Sequence, residues 1–220
     1  MVTVVEKLYI EYLYSNVDSA SELLKIEPGL IVLKNSRETT LFNHPHIRLW
    51  HRFLLEVFDP GMLGREYALI LPCSHAKPYR ISRLHSQLES MLTKYDLVYR
   101  IQRYILSEPM VLVPRELDIY YPFANYDYPP KELTEGDRET FVKLLASILP
   151  KLRKHKKIVA VLPKHHTSIL VSALKLCNMC IEIEVHSYGR KAFKTIKDVV
   201  EKIRNSMHST PTIISINIHI

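Results

Sequence analysis

Two short runs set the fold: Tyr67–Leu71 (YALIL) and Ile158–Leu162 (IVAVL). A stretch that is apolar on both of its alternating faces has to be covered from both sides. That is the pattern of a central strand in a parallel sheet, not of a strand wet on one face. Helical patterns separate these runs from further strand-like segments. Leu84, Leu88, Met91 and Leu92 repeat at helical spacing behind Ser82, a good N-cap. Thr134 heads a helix reaching about Lys154, and two more are expected over Ser168–Leu176 and Lys191–Asn205. Further strands are expected at Arg103–Leu106, Met179–Val185 and Thr212–Ile220. The last alternates isoleucine with polar residues, as an edge strand does. Strands joined through helices of this length make right-handed βαβ units. The expected fold is an α/β domain, a three-layer α/β/α sandwich with a mainly parallel sheet.

The segment ahead of this core reads differently. Residues 2–14 alternate around Leu8, Ile10 and Tyr12 and are rich in β-branched and aromatic types, which predicts a strand. Ser19 caps a short helix to Leu24, and Gly29 turns the chain into a second strand, Leu30–Leu33. Residues 1–40 are therefore expected to form a small N-terminal β-rich extension, and residues 41–220 the core domain. Asn43–Pro45 opens a helix to about Phe58, with Ile47, Trp50, Phe53, Leu54 and Phe58 on one side, and Pro60-Gly61 ends it. The proline- and tyrosine-rich stretch Pro109–Pro130 reads as a long ordered loop.

Composition narrows the class of function. Thirty Lys and Arg against 23 Asp and Glu give a net charge of +7, which suits a polyanionic partner such as nucleic acid. Three cysteines are too few for a disulfide framework and point to a cytoplasmic protein. No apolar run reaches the roughly 18 residues of a membrane span. Glu6, Lys7 and Glu11 interrupt the apolar N-terminus, so it is not read as a signal peptide.

Ligands of open parallel sheets bind beyond the carboxyl ends of the strands. Four polar clusters are expected to meet there: Cys73, Ser74, His75 and Lys77; Ser107 and Glu108; Lys164, His165 and His166; and His186, Ser187 and Tyr188. The first is the most suggestive. Cys73 ends an apolar strand just ahead of a helix whose first turn carries His85, with Lys77 close by. Positive charge and amide dipoles there favour a thiolate, and a thiolate beside an imidazole is the minimum for nucleophilic catalysis. The alternative is a buried structural cysteine with Ser82 as a plain cap. Cys177 and Cys180 form a CxxC without a second pair, best read as two buried small residues, with a redox pair or disulfide as the alternative. His165-His166 lack a third ligand at fixed spacing, so no metal is expected. Without a P-loop or dinucleotide fingerprint, no cofactor is expected either. The basic run Lys151–Lys157 reads as a solvated helix end, with Lys154, Lys156 and Lys157 as the candidate RNA contacts.

Residues 72–85 carry Pro72, Cys73, Lys77, Pro78, Tyr79, Ser82 and His85 in the pattern P-C-x3-K-P-Y-x2-S-x2-H. This string resembles the signature of the archaeosine synthase family, which modifies archaeal tRNA. Asn43–Trp50 upstream, and Ser107-Glu108-Pro109, Val113–Leu117 and Tyr121-Pro122 downstream, also resemble family segments. Glu108 is inserted, and Met110 stands where the family has glycine. The resemblance implies a uracil-DNA glycosylase-like core and an amidinotransferase-type, tRNA-modifying enzyme. In that reaction a nitrogen nucleophile (from lysine, glutamine or ammonia) adds to the nitrile of 7-cyano-7-deazaguanine in tRNA. It assigns a thioimidate to Cys73, proton transfer to His85, and supporting catalytic roles to Lys77 and Ser82. Tyr79, Ser107, Arg115 and Glu116 would bind substrate. Family members also carry a transglycosylase-like portion and an RNA-binding PUA domain, so a partner protein supplying the latter is implied. Two rivals stand beside this reading: a glycosylase-like base-binding or base-processing protein using His186 and Ser187, and a non-catalytic tRNA-binding subunit.

Overall fold

The two apolar runs become adjacent central strands. In the computed structural model, which describes residues 2–36, 38–179 and 181–208, β2 (Tyr67–Pro72) pairs in parallel with β6 (Lys157–Pro163), Ala68 opposite Ile158. On its other side β2 pairs in parallel with β3 (Ile101–Ser107), and β6 pairs in parallel with β7 (Glu184–Tyr188). The short β4 (Val111–Pro114) closes the β3 edge antiparallel, giving the order β4-β3-β2-β6-β7. A separate parallel pair joins β1 (Leu33–Lys34) to β5 (Tyr126–Asp127), with Leu33 opposite Tyr126.

Alternation along β2 shows why both sheet faces are covered. Leu69 and Leu71 point into a core shared with Leu88 and Leu92 of α4 (Arg83–Lys94) and Val200 and Ile203 of α7 (Ala192–His208). Ala68 and Ile70 point the other way, into the larger core. Trp50 of α3 (Pro45–Arg52), Phe141 and Leu145 of α5 (Glu135–Ile148), and Ile169 and Leu170 of α6 (Lys164–Leu176) fill that side. Each fully buried leucine or phenylalanine contributes roughly 1.5–3 kcal/mol of transfer free energy, so helices on both faces are what such strands require. The chain is a mixed α/β protein with a mostly parallel sheet.

Several elements differ from expectation. Residues 2–14 form no strand: α1 (Val4–Asn16) is a helix opened by a capping box between Thr3 and Glu6. It buries Val5, Tyr9 and Leu13, four residues apart, and Tyr9 donates a hydrogen bond to the Tyr121 carbonyl at 2.8 Å. With α2 (Ala20–Leu23) also helical, β1 is the only strand of the N-terminal segment among the described residues. That segment is not β-rich, and Val5 and Tyr9 belong to the same core as Trp50. The stretch 109–130 is no plain loop either, since it contributes β4 and β5. The helix expected to reach Phe58 stops at Arg52, and Phe53–Val57 continue as a single π-helical turn. Pro150, which has no N–H to give, turns α5 into a 3-10 segment, Leu149–Lys154. Helix α6 starts at Lys164 rather than Ser168, and β7 lies later than Met179–Val185. The expected strand Thr212–Ile220 lies outside the described residues. No described helix is long and apolar enough to cross a membrane.

Candidate active site

Strands β2, β3, β6 and β7 run in parallel, so their carboxyl ends share one edge, and a cavity of about 620 Å³ opens there. Cys73 follows β2 directly, and its N–H extends the ladder to the Leu106 carbonyl at 2.9 Å. Glu108 follows β3, and His165 and His166 lie in the first turn of α6, immediately after β6. These three strand ends converge on one carboxylate. Glu108 Oε1 lies 2.6 Å from His165 Nε2, and Oε2 lies 3.1 Å from His166 Nε2 and 3.9 Å from the Cys73 sulfur. The thiol, a Glu108 oxygen and a His166 ring nitrogen all fall within 4.8 Å of one another. Cys73 is the free thiol among the described cysteines.

The electrostatics follow from burial with pairing. Glu108 and His166 expose only 1% and 3% of their surface. Burial by itself favours the protonated carboxyl of Glu108. The hydrogen bonds of His165 and His166 and the charge of His166 outweigh it and hold Glu108 well below the usual carboxylate range. Burial likewise opposes charge on His166, but Cys73 and Glu108 beside it raise its pKa. The result is a carboxylate that keeps a proton on an imidazole next to a thiol. That arrangement suits a thiolate paired with an imidazolium that a third group orients. Lys77 closes the same cavity. Burial lowers its pKa while Cys73, Asp127 and Glu108 pull it back up, and its Nζ donates to the Ser74 carbonyl at 2.8 Å and sits 4.5 Å from the Tyr126 ring centre.

The residues singled out from the sequence divide into three groups. Cys73, Lys77, Ser82 and His85 all line the cavity. Ser82 caps α4, its side chain accepting from the His85 N–H at 3.4 Å. The His85 Nε2 is engaged with the Pro72 carbonyl at 2.9 Å, and burial lowers the pKa of its ring. That bond positions the residue before Cys73. Tyr79 and Ser107 lie beneath the cavity. The Tyr79 hydroxyl donates to Ser107 Oγ at 3.3 Å, and both meet the hydroxyl of Tyr126, which does line the cavity. Arg115 and Glu116 are elsewhere, contrary to expectation. Arg115 is bound to Glu89 at 3.1 Å and Asp118 at 3.3 Å, and Glu116 to Arg65 at 2.7 Å. Lys156 and Lys157 pair with Glu66 and Glu184 near the start of β6, while Lys154 is exposed. Six residue rises of about 3.3 Å put the two ends of β6 roughly 20 Å apart. His186 lies within β7, bonded to Glu184 at 2.8 Å, and Ser187 is exposed; neither lines the cavity.

Helix α3, which holds most of the Asn43–Trp50 segment, acts on the site from behind. Trp50 Nε1 donates to the Met110 carbonyl at 2.7 Å, and His51 Nε2 meets the Pro109 carbonyl at 2.8 Å. These bonds fix the backbone that presents Glu108. Gly29, at φ +100°, brings the N-terminal segment against the Lys77 carbonyl, 3.1 Å from where a Cβ would stand. The roles of Glu108 and His166 were the ones sequence reasoning missed. Their only signal was position after β3 and β6, which placed them at the edge without saying which would face Cys73.

Fold and site together define an α/β protein with a thiol–imidazole–carboxylate centre at the carboxyl edge of its sheet. The chain belongs to the family described as Domain of unknown function (DUF5591), which matches residues 47–207. It is similar to archaeosine synthase of Methanocaldococcus jannaschii, 28% identical over 82% of this chain and 31% of that one. It is also similar to archaeosine synthase subunit alpha of Thermococcus kodakarensis, at 29% over 73% and 28% of the two chains. The corresponding subunit of Thermoplasma acidophilum is 33% identical over 45% of this chain and 19% of that one. The chain thus spans less than a third of the length of these relatives. A solved structure titled as AF0587, a protein of unknown function, is similar at TM-score 0.45 and 22% identity, over 73% of this chain and 50% of that chain.

Proposed function

We propose that this protein is a tRNA-modifying enzyme of archaeosine synthase type, adding an amine across the nitrile of 7-cyano-7-deazaguanine in tRNA. The observation that carries this reading is the Cys73–His166–Glu108 cluster, with Cys73 and His166 on the cavity wall and Glu108 buried behind them. The names of its relatives supply the substrate class. Cys73 and His166 share one proton, which rests on the imidazole, and the thiolate attacks the nitrile carbon. A C–S bond forms, one C–N π bond breaks, and the nitrogen takes the proton held by His166, leaving a neutral thioimidate. The donor amine adds to the same carbon, the C–S bond breaks, and the surplus amine proton passes to His166 beside the departing sulfur. The sum is nitrile plus amine giving an amidine, with the enzyme regenerated. Glu108 keeps the imidazole oriented and stabilises its charged form. His85 then acts by positioning Pro72 and Cys73 rather than as the proton carrier, while Lys77 and Ser82 shape the cavity around the thiol. Tyr79 and Ser107 act on substrate through Tyr126.

The same reading covers the uracil-DNA glycosylase-like architecture, a cytoplasmic setting, and a partner chain supplying a PUA-type RNA-binding domain. Its test is incubation with nitrile-bearing tRNA and lysine, glutamine or ammonia, with and without the partner, followed by mass analysis of the nucleosides. Amidine-type product is expected. Its absence under every combination favours the non-catalytic tRNA-binding subunit.

A further inference from the structure

We propose that Cys73, Glu108 and His166 also form a zinc-binding site, and that a bound zinc ion reversibly caps the thiol. Zinc takes sulfur, imidazole nitrogen and carboxylate oxygen at about 2.0–2.3 Å in a tetrahedron, which sets neighbouring ligand atoms roughly 3.5 Å apart. Here two of the spacings are 3.1 Å (His166 Nε2 to Glu108 Oε2) and 3.9 Å (Cys73 sulfur to the same oxygen), and all three ligand atoms lie within 4.8 Å. The set needs side-chain adjustment only. Magnesium and calcium prefer all-oxygen shells, so one thiol and one imidazole against a single carboxylate select zinc over them. Three protein ligands leave a fourth position, and the cavity beside the cluster has room for water or a small ligand there.

One further feature points to a ligand. Glu108 is held through its second oxygen by His165 at 2.6 Å, the kind of outer contact that fixes a metal-binding carboxylate in place. Ligands already buried and oriented lose little freedom on binding. Zinc and an electrophile would compete for the same sulfur lone pair, so metal occupancy and covalent chemistry at Cys73 exclude each other.

The test uses the full chain, reduced and stripped of metal, titrated with Co²⁺ as a spectroscopic stand-in and then with Zn²⁺. The expected result is a thiolate-to-cobalt charge-transfer band in the near ultraviolet that saturates at one equivalent, disappears when zinc is added, and is missing in Cys73→Ser. His165→Ala should keep the band and weaken affinity about 10- to 100-fold. In the unmodified protein, zinc should slow iodoacetamide labelling of the Cys73 peptide by about tenfold or more, an outcome that needs no variant to fold. No charge-transfer band, an unchanged band in Cys73→Ser, or labelling indifferent to zinc overturns the proposal. None of these readouts involves the nitrile reaction, so the metal site and the proposed function fail independently.

Discussion

Glu108 keeps its charge where almost no water reaches it, and two imidazoles make that possible. This pairing has a pH signature. Unfolded His166 loses its proton near pH 6.5, whereas the folded residue holds it to higher pH. The stability it contributes is therefore fully present below pH 6.5 and is lost as pH climbs through the raised folded value. Burial lowers the pKa of His51, to about 4, and those of His85 and His155. These rings refuse a proton that the unfolded chain accepts below pH 6.5, so they weaken the fold as pH falls. Urea unfolding with chelator present should show greatest stability near pH 6.5. Glu108→Gln should flatten the alkaline limb, whose limiting slope is about 1.4 kcal/mol per pH unit per proton, and also the part of the acid limb below about pH 4.3 where its own depressed carboxyl acts, leaving the histidine part between there and pH 6.5 in place. Two histidines also divide by role. His166→Gln should cost about 100- to 10,000-fold in turnover. His85→Ala, which removes only a positioning bond, should cost about 1–3 kcal/mol of stability and considerably less rate. Steady-state kinetics beside denaturant curves separate the two. Cys73 was legible because a thiol ending an apolar strand has few other readings. Glu108 read only as one polar residue beyond a strand and as an insertion in a motif, because its meaning depends on which strand lies beside β3 and on where α6 begins.

At the scale of elements, α3 ties the hydrophobic core to the chemistry. Trp50 packs edge-on to Phe123 at 4.5 Å between ring centres while its Nε1 holds the Met110 carbonyl. Trp50→Phe keeps most of the packing and removes that bond. The expected cost is about 1–3 kcal/mol, together with a loss of turnover as the Glu108 backbone loosens. A stability loss with unchanged kcat would show that the segment holds Glu108 without Trp50. The central strands were readable because a run apolar on both faces fits few other environments. Residues 2–14 were not, because they satisfy two periods at once: Leu8, Ile10 and Tyr12 alternate, while Val5, Tyr9 and Leu13 recur every four. The capping box at Thr3 and Glu6, together with the Tyr9 contacts in the core, decides for the helix. The 109–130 stretch was opaque for a similar reason. Its strands are two to four residues long and are specified by their partners β3 and β1, not by their own pattern.

Across the whole molecule, the cavity and the basic run lie at opposite ends of β6. Only a partner roughly 20 Å or more in extent can touch both, which a tRNA can and a nucleoside cannot. Reversing charge at Lys154, Lys156 and Lys157 should therefore weaken tRNA binding and lower its salt slope by about one for each phosphate no longer neutralised, leaving turnover of a nitrile-bearing nucleoside unchanged. Equal effects on both substrates would mean that these changes disturb the fold rather than a binding surface. The central claim is that Cys73 attacks the nitrile, and trapping that bond tests it most directly. Nitrile-bearing tRNA is incubated with the protein without amine, digested by nuclease, and the protein mapped by peptide mass. The account predicts a 7-deazaguanine adduct on the Cys73 peptide of the wild type, cleared by added amine and absent from Cys73→Ala. Amidine formation by Cys73→Ala at near wild-type rate, or an adduct on another residue, would contradict it.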